Sequence, residues 1–137
     1  MNRTKAVLLA AGLGTRLRPL TNHVTKCLVP VAGRPLLDYW FERLREANIS
    51  DVLINTHHLA DQVRAYLKQI QGEGNLRIIE TYEPELLGSA GTLAAHPQFA
   101  EDTDQVVIIY ADNFSDVSIR DLLAFHQQHE DPVTMLL

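Results

Sequence analysis

A layered α/β fold around a mostly parallel sheet is what this sequence predicts, and three observations carry the expectation. Almost wholly apolar runs at Lys5 to Ala11 and Gln105 to Tyr110 suit strands buried on both faces. Such runs alternate with stretches of helical period along nearly the whole chain. Glycines stand where strands and helices should give way to turns.

Taken in order, Lys5 to Ala11 is the first strand, ended by a glycine turn. Arg34 to Asn48 follows a helical period, with Leu37, Trp40, Phe41, Leu44 and Ala47 on one stripe and Pro35 suited to the first turn. Asp51 to Thr56 reads as the second strand. Leu59 to Gln71 is the second helix, with Val63, Tyr66, Leu67 and Ile70 facing a core and Gly72 and Gly74 stopping it. Leu76 to Glu80 is a third, short strand. Gly88 to Ala95 should open a short helix, and Gln105 to Tyr110 is the clearest buried strand. Ser118, with Asp121 three positions on, forms a capping-box-like pair before the last helix. Val133 to Leu137 reads as a further strand. Ligands on such sheets bind at the carboxyl ends of the strands, so chemistry is expected just beyond Ala11, Glu80 and Tyr110.

The chain has 137 residues, which sets one domain over residues 1–137 as the default. Its 46% hydrophobic and 21% charged content place it among ordinary globular proteins. A net charge of −5 argues against a general nucleic-acid binder, but a few local donors can still hold a phosphate. One cysteine, Cys27, permits no intrachain disulfide and fits a reducing compartment. The first residues show no secretory pattern, and Ala6 to Gly12 is too short to span a membrane. A cytoplasmic protein with no membrane and no nucleic-acid partner is expected.

The loop after the first strand carries the most chemistry. Gly12 and Gly14 let the backbone approach an anion and turn its N–H groups toward it, and Arg16 adds a fork of donors for phosphate oxygens. A dinucleotide fingerprint fails at its last glycine, where Leu17 stands, and at the second strand end, which offers Asn55 and Thr56 instead of an acid. A Walker loop fails for want of its Lys-Ser/Thr pair. A plain strand-exit turn is the competing reading.

The stretch from Leu8 through Gly12-Leu13-Gly14-Thr15-Arg16-Leu17-Arg18-Pro19-Leu20 to Thr21 resembles the signature of the sugar-1-phosphate nucleotidylyltransferases over fourteen positions. Thr25 to Leu36 is similar to the family's second signature, keeping Lys26, Pro30, Gly33 and Pro35 but carrying Thr25 and Cys27 where proline is common. Glu83 to Leu93 resembles the base-binding loop and the helix after it. Tyr110-Ala111-Asp112-Asn113 resembles the metal-binding strand end, with Ala111 in place of the usual glycine.

The resemblance implies a Rossmann-like three-layer sandwich of the nucleotide-diphospho-sugar transferase type, here truncated. It implies transfer of a nucleoside monophosphate from a nucleoside triphosphate (NTP) to a sugar 1-phosphate, with release of pyrophosphate and with Mg2+ as cofactor. Ala11, Gly12, Leu13, Gly14 and Thr15 would line the triphosphate. Arg16 would meet the β and γ phosphates, and Lys26 the α-phosphate and the incoming sugar phosphate. Asp112 would hold the metal, and Glu83 and Gly88 would frame the base, the carboxylate accepting from a base N–H. Ala10-Ala11-Gly12 favours guanylyl or uridylyl over thymidylyl transfer, with mannose 1-phosphate or a similar sugar as first choice of acceptor. The alternatives are a nucleotide-binding module without turnover, and transfer to a pterin or a phosphorylated alcohol.

Other residues invite blander readings. His57 and His58 read as loop residues, His126 and His129 as a solvated helix end, and Asp102 and Asp104 as a solvated loop. Cys27 reads as packing, since no base partners it. Gly91 reads as a helix-packing residue. Because Val133 to Leu137 stops inside an apolar run, the chain is expected to be the N-terminal part of a longer catalytic domain. The family's later sugar-binding segment, a second basic residue and a second metal-binding aspartate have no counterpart in it. Weak NTP binding, little turnover and self-association into homo-oligomers are expected of the chain alone.

Overall fold

The computed structural model describes residues 3–137. Four strands form one parallel sheet: β1 (Thr4–Leu9), β4 (Asp51–Thr56), β5 (Arg77–Tyr82) and β6 (Gln105–Tyr110), in the order β5-β4-β1-β6. A two-stranded antiparallel ribbon, β2 (Pro30–Val31) with β3 (Arg34–Pro35), lies in the connection after β1. The helices are α1 (Leu36–Glu46), α2 (Ala60–Ile70), α3 (Gly88–Ala95) and α4 (Ile119–His126).

Alternation along each strand sorts the side chains into two layers. Ala6, Leu8, Val52, Ile54, Val107 and Ile109 pack under α1, α2 and α4, meeting Leu37, Phe41, Leu44, Val63 and Ile119. On the opposite face Val7, Leu9 and Leu53 meet Phe99 and Leu93. The three-layer α/β expectation therefore holds.

The connectivity positions the site. From β1 the chain moves outward to β4 and β5, then returns to lay β6 on the other side of β1. The strand order changes direction at β1, and in open sheets of this kind the crevice outside the carboxyl ends of the strands at such a point is where ligands bind. Leu9 lies opposite both Asn55 and Tyr110, so the ends of the three central strands are level.

Several boundaries differ from those the sequence suggests. The first strand leaves the ladder after Leu9, because the N–H groups of Ala10 and Ala11 turn to the Asn55 side chain. Helix α1 starts after Pro35, which serves as its N-cap, and stops before Asn48, which is left-handed at φ 58°. Helix α3 matches its expected range, and the Ser118 hydroxyl caps α4 by accepting from the Asp121 N–H at 3.2 Å.

The expected strand at Val133 to Leu137 is not formed. A strand exists only through a pairing partner, and no strand among the described residues pairs with this segment. It lies along the end of α4 instead, where the Thr134 hydroxyl bridges His126 Nδ1 and His129 Nε2 at 2.8 and 2.9 Å.

The loop carrying Asp102 and Asp104 is also more than solvated. Lys5, 7% exposed at the start of β1, donates to the Phe99 carbonyl at 2.8 Å and pairs with Asp102, which also binds Arg3. Asp104 accepts from the Arg3 N–H at 2.6 Å. A buried ammonium requires such partners.

Candidate active site

The loop leaving β1 is shaped by glycine and held by threonine. Gly14 is left-handed at φ 65°. Thr21, buried beneath it, donates its hydroxyl to the Gly14 carbonyl at 2.6 Å. Gly12 faces open space, so that a ligand can approach its backbone. Among the described residues, the N–H groups of Gly12 and Leu13 donate to no protein acceptor in a turn or cap. Arg16 lies exposed on the short turn Thr15–Leu17 and forms no ion pair among the described residues.

Helix α2 and the turn before it anchor the following segment. His58 donates through Nε2 to the Thr21 carbonyl at 3.1 Å. Gln62 accepts from the Thr25 N–H at 3.0 Å and donates to the His23 carbonyl at 2.7 Å. The Thr25 N–H is a donor that proline lacks, so this departure from the family spelling exchanges a rigid ring for a hydrogen bond. Cys27 is fully buried in the core, and burial pushes its thiol up to about 11. It is a packing group.

Across the crevice, Asp112 follows β6. The Ala111 N–H continues the ladder to the Leu9 carbonyl at 3.0 Å, and the Ala111 methyl is sealed in the core, away from the site. Lys26 Nζ meets Asp112 Oδ2 at 2.5 Å, the two side chains being 27% and 30% exposed. Trp40 of α1 fixes the next turn, its indole N–H donating to the Asn113 carbonyl at 2.9 Å. Tyr39 packs edge-on against Phe114.

The loop after β5 supplies the third wall. Gly88 is left-handed at φ 71° with open space where a Cβ would lie. At Gly91, in the first turn of α3, an added Cβ would stand 2.9 Å from the Cβ of Leu87, the residue that precedes the same helix. Glu83 differs from expectation. Only 2% exposed, its carboxylate turns inward and accepts from Asn55 Nδ2 at 3.0 Å, from the Thr92 hydroxyl at 2.5 Å and from the Leu87 N–H at 3.2 Å. Burial raises its pKa, but the hydrogen bonds from Thr92, Asn55 and Leu87, with His57 nearby, outweigh burial and hold it below the usual carboxylate range. His57 closes the loop by donating from Nδ1 to the Glu83 carbonyl at 2.7 Å.

The crevice thus gathers Gly12, Gly14, Lys26 and Asp112, with Glu83 and Gly88 on the β5 side. Thr21, Trp40, Asn55, Gln62 and Thr92 were not foreseen. Thr21 and Thr92 lie within the stretches that carry the resemblance, Trp40 lies on the apolar stripe of the first helix, and Asn55 stands out as a polar residue closing an otherwise apolar strand. A groove of about 370 Å3 between α1 and α2, lined in part by Arg34, Asp38, Arg45 and Tyr66, shares no residue with this set.

A family model described as nucleotidyl transferase matches residues 5–137. The chain belongs to the nucleotidyl transferase family. This nucleotidyl transferase chain is 34% identical over 134 residues to an Aspergillus fumigatus protein named mannose-1-phosphate guanyltransferase, covering 97% of itself and 37% of that relative. Among solved structures it resembles a Bacillus anthracis chain assigned as a glucose-1-phosphate thymidylyltransferase, in complex with a sucrose. The TM-score is 0.79, with 28% identity, 91% of this chain covered and 50% of that one. It also resembles the CTP:phosphocholine cytidylyltransferase of Streptococcus pneumoniae, at TM-score 0.63, 31% identity and 88% and 50% coverage. The nucleotidyl transferase chain therefore spans about a third of the length of the curated relative and half of each solved neighbour.

Proposed function

We propose that this chain is the nucleotide-binding part of an enzyme that transfers a nucleoside monophosphate from an NTP to a sugar 1-phosphate, guanylyl transfer to mannose 1-phosphate being the preferred case. One observation carries the reading: Lys26 pairs with Asp112 beyond the level carboxyl ends of β1 and β6, and a glycine loop with open N–H groups leaves the end of β1. The name of the Aspergillus relative supports the choice of base and sugar.

In this reading Gly12, Leu13, Gly14 and Thr15 bind the triphosphate through backbone N–H groups, with Ala11 at the base of the loop. Arg16 offsets charge on the β and γ phosphates, and Lys26 leaves Asp112 to meet the α-phosphate. An oxygen of the sugar phosphate attacks the α-phosphorus; the new P–O bond forms as the bond to the bridging oxygen breaks, and the electron pair leaves on pyrophosphate. Fixed cations and N–H donors suit a step that brings two anions together.

Asp112 fits the role of Mg2+ holder: it is a half-buried carboxylate just past the strand end whose side-chain partner among the described residues is one displaceable ammonium. No cluster of three ionisable ligands stands among the described residues, so phosphate oxygens and water would complete the shell, an arrangement Mg2+ favours. When bound, Mg2+ would neutralise phosphate charge and orient the triphosphate.

Pyrophosphate release by the intact protein, with the common NTPs against hexose 1-phosphates and phosphocholine, tests the reading. Lys26→Ala and Arg16→Ala should each lower turnover by roughly 100-fold or more with the fold intact. Asp112→Asn should raise the Mg2+ requirement more than it weakens NTP binding. Parental rates in a variant remove that residue from the mechanism. NTP binding without transfer to any acceptor favours a binding module, and transfer to phosphocholine alone favours a phosphorylated alcohol as acceptor.

A cytoplasmic location belongs to the same proposal. The lone Cys27 is a buried thiol, and no helix among the described residues is long and apolar enough to cross a membrane. Self-association through the exposed Val133, Met135, Leu136 and Leu137 is proposed as well, with sedimentation as its test.

A further inference from the structure

We propose that Asn55 is a positioning residue that holds the nucleobase loop at a fixed distance from the triphosphate loop and so sets which bases the site accepts. The inference rests on the reading of those two loops given above.

Asn55 closes β4, the strand between β1 and β5, and is 4% exposed. Its carboxamide is fully used. Oδ1 accepts from the N–H groups of Ala10 and Ala11 at 2.6 and 3.2 Å, the two residues that lead into Gly12. Nδ2 donates to Glu83 Oε1 and to Thr92 Oγ1, both at 3.0 Å. Glu83 in turn accepts from the Leu87 N–H, one residue before Gly88, and the Thr92 hydroxyl lies 3.0 Å from the Gly88 carbonyl. One amide therefore spans from the root of the glycine loop to both ends of the Glu83 to Gly88 loop. Asparagine suits the place because it pairs an acceptor with two lone pairs and an NH2 with two donors. A carboxylate there would face the Glu83 carboxylate inside the protein, and an apolar side chain would strand donors on one side and an anion on the other.

Purines and pyrimidines differ in the distance from glycosidic bond to far edge. A site that ranks them needs its base wall fixed relative to its phosphate wall. Asn55 touches neither ligand, and its effect passes through the two loops.

The test exploits the symmetry of the network. Asn55→Asp sets two carboxylates face to face. Adding Glu83→Gln restores every bond with donor and acceptor exchanged: the carboxylate at position 55 accepts from Ala10, Ala11, the Thr92 hydroxyl and the new amide, whose oxygen accepts from Leu87. Net charge matches the parent.

Binding is measured by calorimetry on the intact protein without acceptor, using GTP, ATP, UTP, CTP, dTTP and inorganic tripolyphosphate as the base-free probe. The parent should rank the NTPs. Asn55→Asp should weaken the preferred NTP roughly tenfold or more while changing tripolyphosphate less, so that the spread among bases narrows. The double variant should recover the spread. Thr92→Val, which removes one hydroxyl and keeps the amide, should shift the spread the same way and serves if Asn55→Asp does not fold.

Folded variants that keep the parental ranking and spread overturn the proposal. So does a double variant whose melting temperature recovers while its base ranking does not, which would reduce Asn55 to a purely structural role. A parent that binds NTPs without ranking them overturns this inference alone. A parent that binds no NTP overturns the transferase reading and this inference with it.

Discussion

Gly12 and Gly14 sit two residues apart in one loop and answer to different constraints. At Gly14 an added Cβ would stand 2.9 Å from Thr21 Cγ2 on a left-handed backbone. Gly14→Ala should therefore cost about 1–2 kcal/mol from the backbone alone, and more as Thr21 is displaced. At Gly12 nothing lies within 4 Å of the added methyl, so Gly12→Ala should melt like the parent and lose only NTP affinity. Thermal melts beside NTP titrations separate the cases; equal melting temperatures for the two variants would show that the loop is not braced by Thr21. Legibility at this scale follows sequence distance. Gly12, Lys26 and Asp112 could be found because each sits in a contiguous stretch of recognisable spelling. The inward turn of Glu83 could not, because it depends on Asn55, 28 residues before it, and Thr92, nine after. At Thr25 and Ala111, where the sequence departs from the family spelling, the structure supplies the account that spelling alone does not: the Thr25 N–H donates to Gln62, and the Ala111 side chain lies in the core.

Helix α1 shows what an element does beyond filling space. Its apolar stripe, with Leu37, Phe41 and Leu44, seats it on the sheet, while Trp40 and Tyr39 reach past the sheet edge to the turn after Asp112. Trp40→Phe keeps an aromatic ring and deletes the bond to the Asn113 carbonyl. It should cost about 1 kcal/mol of stability and lower turnover several-fold through a looser Asp112, with helix content unchanged by circular dichroism. Undiminished turnover in a variant that shows the stability loss would sever α1 from the site. Helical periodicity exposed this stripe in the sequence, and only the ends of α1 moved, trimmed by Pro35 and by the left-handed Asn48. Val133 to Leu137 marks the opposite limit. Strand-like composition is a property of a segment, whereas a strand is a property of a pair.

At the scale of the whole molecule, two carboxyl groups tie distant parts of the chain together and set its response to acid. Lys5 and Arg3 draw Asp102 below the usual carboxylate range, and the Thr92, Asn55 and Leu87 donors do the same for Glu83 against the pull of burial. A depressed folded pKa means that the unfolded chain binds more protons near pH 4. The stability from both groups is therefore complete above the unfolded range, about 4.3 for a glutamate, and is lost as pH falls through the lower folded values. Urea unfolding should show a marked loss between pH 7 and pH 3.5, and Asp102→Asn or Glu83→Gln should each flatten that slope while lowering stability at pH 7. A parent equally stable at both pH values would refute the assignment.

The pairing of β1 with β6 has a consequence in time as well as in space. Thr4 lies opposite Gln105 and Leu9 opposite Tyr110, so the two walls of the crevice are about a hundred residues apart along the chain. On a ribosome, β1, β4 and β5 all emerge before the first residue of β6, and these three can already pair as neighbours. Throughout that interval β1 is an unprotected sheet edge, its free N–H and C=O groups open to any passing strand. Lys26 has no Asp112 to meet until Gln105 to Tyr110 has docked. Synthesis thus reaches the glycine loop long before the carboxylate beyond β6, and the crevice between them comes into being only when β6 closes against β1.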